Sequence, residues 1–152
     1  MNREKLEQAI GLLIDVNRED QTYDNMQETF AMIEDCWCEE TSYWDNKTSR
    51  PDEIYNWFLN GYYQCATTTA LLNELYGGEV MMGEADGRKH YWNRINGVDV
   101  DITRRQFDAG TVITNIQVIN KNLLVTDEWM AQRYQALRGR YDIELKKKAI
   151  YG

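Results

Sequence analysis

Four side chains able to do chemistry follow one another along the middle of this chain: Cys65, His90, Asp99 and Asp101. His90 is the only histidine in the sequence. Cys65 opens the run Cys65-Ala66-Thr67-Thr68-Thr69-Ala70-Leu71-Leu72, a helical pattern that Gly77-Gly78 closes as a C-cap signal. A cysteine at a helix start sits where the helix dipole and unpaired N–H groups stabilise its thiolate. The same N–H groups can hold the oxyanion of a tetrahedral intermediate. An imidazole beside the sulfur exchanges its proton, and a carboxylate behind the imidazole fixes its orientation. Together these parts make an activated thiolate nucleophile, and they do not name a substrate.

A hairpin must bring them together. Asn96-Gly97 is a strong signal for a two-residue turn, set between the strand that holds His90-Tyr91-Trp92-Asn93 and a strand over 98–103. Such a turn pairs Ile95 with Val98, Arg94 with Asp99, and Trp92 with Asp101. Alternation then puts His90, Trp92 and Arg94 on one face with Asp99, Asp101 and Thr103. Asp101 becomes the diagonal neighbour of His90 and its orienting carboxylate. Asp99 faces Arg94 and reads as an ion-pair partner. A slip of one residue would turn both aspartates to the other face.

The rest of the pattern is helices followed by strands. Leu6, Ile10, Leu13 and Ile14 share a helical face over 3–17, and Met26, Phe30 and Ile33 another over 22–38. Residues 40–52 read as a loop holding the only proline, Pro51, which with Asp52 and Glu53 reads as a helix start leading into Ile54-Tyr55-Asn56-Trp57-Phe58, ended by Gly61. After the helix of Cys65, strands are expected at 79–84, 88–95 and 98–103, with Asp86-Gly87 as the other two-residue turn. A further strand is expected around 112–119. Thr126-Asp127-Glu128 caps a last helix that carries Trp129, Met130, Tyr134 and Leu137. Helices first and an antiparallel sheet after them point to an α+β fold.

Composition excludes several classes of function. The 152 residues suit a single domain with a sizeable core. A net charge of −8 argues against a nucleic-acid surface, and the one basic run, Lys146-Lys147-Lys148, reads as a solvated tail. No apolar run is long enough to cross a membrane, and the N-terminus does not resemble a secretory signal. Three cysteines do not make a disulfide framework, so a reducing, cytoplasmic setting is expected.

Plainer readings stand beside the reactive one. A cysteine in a helical pattern is commonly a small buried hydrophobe, and a strand histidine commonly a satisfied core residue. Cys36, Cys38, Cys65 and His90 would also make a Cys3His zinc set. Against zinc, Cys36 and Cys38 fall in a helical stretch, where residues two apart point away from each other. No metal and no cofactor are therefore expected. Trp37, Trp44, Trp57 and Trp92 read as core and pocket walls, because a stacking platform for bases would need a basic groove.

The residues also carry a resemblance. Gln64-Cys65-Ala66-x-Thr68, Gly77-Gly78-Glu79, His90-Tyr91-Trp92-Asn93 and Val100-Asp101-Ile102-Thr103-x-x-Gln106-Phe107 resemble, in order and spacing, the YunG-like family of small bacterial proteins. The likeness covers roughly residues 36–140, with Trp37, Thr41 and Trp44 matching more loosely. Its Cys, His, Asp order is similar to papain-like enzymes of the transglutaminase and NlpC/P60 type. The resemblance implies Cys65 as nucleophile, His90 as base and acid, and Asp101 as the group orienting His90. One departure is Tyr63, which stands where the family usually has glycine before Gln-Cys; another is a longer, aromatic approach through Trp57, Phe58 and Tyr62. The helix of 3–17 is additional to the family pattern and offers a surface for a protein partner.

The expectation is thus one papain-like α+β domain over 1–152, with residues 1–20 an extra N-terminal helix. Its activity would be thiol-dependent hydrolysis or acyl transfer by Cys65, His90 and Asp101 on a small-molecule, peptide or protein substrate. Gln64 is a candidate oxyanion donor that could equally be structural. Trp92, Trp44 and Tyr63 are candidate substrate contacts. The competing expectation is a non-catalytic binding or adaptor protein on the same fold.

Overall fold

A computed structural model describes residues 21–43, 61 and 63–151. The expected helix of 3–17, the loop with Trp44 and Pro51, and the aromatic stretch of Trp57, Phe58 and Tyr62 lie outside these residues. The described chain is α+β, with three α-helices and a four-stranded antiparallel sheet.

Helix α1 spans Gln21–Cys36, α2 spans Cys65–Tyr76 and α3 spans Glu128–Tyr151. Strands β1 (Glu79–Ala85), β2 (Arg88–Ile95), β3 (Val98–Val100) and β4 (Thr114–Ile119) lie in the order β3-β2-β1-β4. Both hairpin turns fall on the expected residues. Asp86, Gly87, Asn96 and Gly97 all have positive φ, as a primed two-residue turn requires of both central positions. The register follows: Ile95 pairs with Val98, Arg94 with Asp99 and Asn93 with Val100.

Strand β3 is shorter than expected. Pairing ends at Val100, and the chain turns through Ile102 and Thr103 into a short 3-10 helix at Arg104–Gln106. Asp101, Ile102 and Thr103 are buried one after another, which an alternating edge strand does not allow, so the chain leaves the ladder and turns into the core. Strand β4 begins two residues later than expected, after the register of β1 shifts between Met82 and Glu84, and Asn115 has a positive φ. Gly83 lies opposite His90 in β1, where a Cβ would come within 2.5 Å of Ile113 and 3.1 Å of Trp92. That position therefore keeps room for the tryptophan beside His90.

The core forms where α1, α2 and α3 meet the sheet. Phe30, Ile33, Trp37, Leu71, Leu72, Ile102 and Leu137 are almost wholly buried there. Asp127 Oδ1 accepts from Met130 N at 2.7 Å, the expected start of α3. Lys146–Lys148, expected as a tail, continue α3 instead, with Lys147 on Glu144 and Lys148 on Glu28. No helix among the described residues is long and apolar enough to cross a membrane.

Candidate active site

Helix α2 begins at Cys65 itself. Three consecutive threonines make a poor helix, because a branched Cβ loses χ1 freedom against the preceding turn. Here all three are buried, and the hydroxyls of Thr67 and Thr68 are used. Thr67 Oγ1 donates to Thr41 O at 2.8 Å, and Thr68 Oγ1 accepts from Trp37 Nε1 at 2.9 Å. Thr69 O accepts from Asn93 Nδ2 at 2.9 Å. Those bonds tie the thiol-bearing end of α2 to the segment after α1 and to strand β2.

Gln64 precedes Cys65 and is fully buried. Its Nε2 donates to Cys38 O at 2.8 Å, and its Oε1 accepts from Thr41 Oγ1 at 2.7 Å. The side chain makes no cap on α2, so among the described residues no N-cap side chain takes the first N–H groups of that helix. These two bonds tie the Gln64 side chain to the segment after α1.

His90 lies on β2 with no exposed surface. Its ring is stacked against Trp92 (centroids 5.6 Å apart, planes at 22°) and meets the Phe107 ring at 4.9 Å and 85°. Nε2 contacts Asp101 Oδ2 at 2.5 Å. Nδ1 is buried without a hydrogen-bond partner among the described residues. Burial alone would push the imidazole pKa down, but the Asp101 charge and hydrogen bond, with a further contribution from neighbouring Cys65, raise it to about 10. His90 is thus held as imidazolium at neutral pH, with Nδ1 the nitrogen left for the thiol.

Asp101 is also fixed from behind. Thr103 Oγ1 donates to Asp101 Oδ1 at 3.3 Å, and Gln106 Nε2 donates to Thr103 Oγ1 at 3.2 Å. Tyr63 N in turn donates to Gln106 Oε1 at 3.4 Å. A continuous chain of bonds therefore runs from the imidazole to the backbone just ahead of Cys65. Thr103 and Gln106 were not among the expected site residues. Their signal was the spacing Asp101-x-Thr103-x-x-Gln106, but only the fold shows that the last of these reaches back to Tyr63.

Tyr63 has a φ of 61°, the left-handed region that glycine adopts freely and a tyrosine adopts at a cost of order 1–3 kcal/mol. That conformation accounts for the glycine of the resembled pattern at this position. Trp92, a candidate substrate contact, is buried and packs on His90. Trp44 lies outside the described residues. Cys36, Cys38 and Cys65 are all free thiols, and no cluster of three or more metal-ligating side chains occurs among the described residues. Burial pushes the Cys36 thiol up to about 11 and also raises Cys38. Cys36 is buried, and Cys38 and Cys65 are both half-buried.

A family model described as YunG protein matches residues 25–146, which include Cys65, His90 and Asp101. The chain belongs to the YunG family. It is 33% identical over 76 residues to the Bacillus subtilis (strain 168) protein described as Uncharacterized protein YunG. The match covers 49% of this chain and 64% of that relative. No solved structure matches.

Proposed function

We propose that this YunG-family chain is a thiol-dependent hydrolase or acyltransferase of papain-like architecture, acting on an amide or thioester. The observation carrying this reading is the placement of Cys65 at the start of α2 beside a buried His90 whose far nitrogen is held by Asp101 at 2.5 Å. In the first step the Cys65 sulfur, as thiolate, forms a bond to the substrate carbonyl carbon. The oxyanion is met by the uncapped N–H groups of α2. As the tetrahedral intermediate collapses, the bond to the leaving nitrogen or sulfur breaks and His90 Nδ1 delivers its proton to that atom. In the second step His90 takes a proton from water, or from another acceptor nucleophile, whose freed lone pair forms a bond to the acyl carbon. The S–C bond then breaks, and the product leaves with the thiolate restored. Asp101 keeps Nε2 engaged throughout, so that Nδ1 is always the nitrogen that moves the proton.

A binding or adaptor protein is the competing reading, favoured by the complete burial of His90. Alkylation separates the two. With brief iodoacetamide treatment at about pH 6, Cys65 is expected to label faster than Cys36 and Cys38, whose thiols are raised by burial. Peptide mapping reads the result, and labelling of Cys65 no faster than Cys38 would favour the adaptor.

A further inference from the structure

Arg88 is two residues before His90 on β2, so its side chain leaves the sheet on the same face. Its guanidinium lies 5.2 Å from the centre of the Tyr63 ring and 5.1 Å from that of Phe107. Phe107 is the ring whose face or edge also meets His90 at 4.9 Å, so these two distances laid end to end bound the gap from guanidinium to imidazole. Tyr63, the other ring, immediately precedes Gln64-Cys65 and holds a left-handed backbone. Arg88 therefore stands between the segment that carries the thiol and the ring that packs on the base.

What Arg88 lacks is a partner of opposite charge. Arg94 pairs with Asp99, and Arg138 with Glu74 and Asp142. Arg133 and Arg140 donate to the carbonyls of Glu39 and Cys36. Among the described residues Arg88 has neither a carboxylate nor a hydrogen-bond acceptor, in a chain whose 25 acidic residues outnumber its 17 lysines and arginines. A second guanidinium, that of Arg104, lies 5.8 Å from the same Phe107 ring; its Nη2 donates to Thr111 O, and its Nη1 is buried without a partner among the described residues. Aromatic faces hold a guanidinium flat and leave its N–H edge free, the edge that grips a carboxylate through two parallel bonds.

We propose that Arg88, with Arg104 on the same Phe107 ring, forms an anion subsite that selects acyl substrates bearing a carboxylate close to the reacting carbonyl. This rests on the thiol chemistry proposed above and names its substrate class. Neutral acyl compounds would reach the thiol without gaining the two charge-assisted hydrogen bonds.

A matched pair of electrophiles tests it on the full chain: N-iodoacetylglycine, which carries a carboxylate, and N-iodoacetylglycinamide, which does not. The readout is the ratio of their rates at Cys65, divided by the same ratio at Cys38. In the unsubstituted protein this quotient should exceed one, and Arg88→Gln should lower it by about two- to five-fold, the range of an ion pair open to solvent. Arg88→Lys should retain most of it. Equal quotients in the protein and in Arg88→Gln would overturn the subsite while leaving the thiol chemistry standing. A Cys65 that reacts with neither reagent would defeat the thiol chemistry, and the subsite with it. Buried Cys36 reports folding, since its labelling marks an unfolded variant. If Arg88→Gln labels there, the unsubstituted protein decides. Raising ionic strength from about 0.01 M to about 1 M shortens the screening length from about 30 Å to about 3 Å, which should lower the quotient, and a flat response would overturn the subsite.

Discussion

Asp99 and Asp101 are two residues apart and have different work. Asp99 Oδ1 accepts from Arg94 Nε at 2.8 Å with both side chains partly exposed, a surface pair worth about 0–1 kcal/mol. Asp101 is buried and accepts from His90 and Thr103. Asp101→Asn should therefore cut the reactivity of Cys65 toward acyl probes far more than Asp99→Asn. An asparagine can turn its N–H toward the imidazole and favour the wrong tautomer, a change that costs about 10⁴-fold in turnover in serine hydrolases. Equal losses in the two variants would remove Asp101 from the triad and leave a dyad. His90 adds a pH dependence of stability. Its folded pKa of about 10 lies above the ordinary 6.5, so the folded state holds a proton that the unfolded chain has lost in between. The stabilisation is complete below about pH 6.5 and disappears as pH climbs through about 10. Across that window the melting temperature of the protein should fall more steeply than that of His90→Gln, and parallel curves would show that the pair adds nothing to stability.

At the scale of elements, the hairpin was the most legible part of the fold. Asn96-Gly97 and Asp86-Gly87 can take positive φ at little cost, and a two-residue turn leaves one register open to the strands it joins. The helix of Cys65 was legible from its closing glycines and from Leu71 and Leu72. What holds its first turn was not legible, because propensity counts Thr67, Thr68 and Thr69 as defects. The value of Thr67 and Thr68 appears only against Thr41 and Trp37, which are remote in sequence. The end of β3 is hidden for a similar reason: Val100-Asp101-Ile102-Thr103 has the alternation of a strand, and only the fold shows that Asp101 and Thr103 are buried along with Ile102. Thr68→Val tests the threonine bonds directly. It keeps the branched shape but leaves Trp37 Nε1 buried without its acceptor, which should cost about 1–3 kcal/mol in chemical denaturation. An unchanged midpoint would mean that packing alone positions α2.

Across the whole molecule, the site is assembled from the start of α2, the middle of β2 and the turn after β3, with Gln106 closing the circuit to Tyr63. The threonines at the start of α2 give this assembly a clock. Alone in water a helix of this length and composition is marginal, so the thiol of a newly made or denatured chain has no dipole and no imidazole beside it. It is an ordinary cysteine until α1, β2 and the segment before Gln64 have docked. Acyl reactivity should thus be the last property to arrive during folding. After dilution from denaturant, fast alkylation of Cys65 should grow in at the same rate as the native tryptophan fluorescence, and reactivity that preceded the fluorescence would mean that α2 forms unaided. If the proposed thiol chemistry holds, the chain carries its own safeguard, because a half-made copy has only an ordinary, unactivated thiol to offer an acyl group.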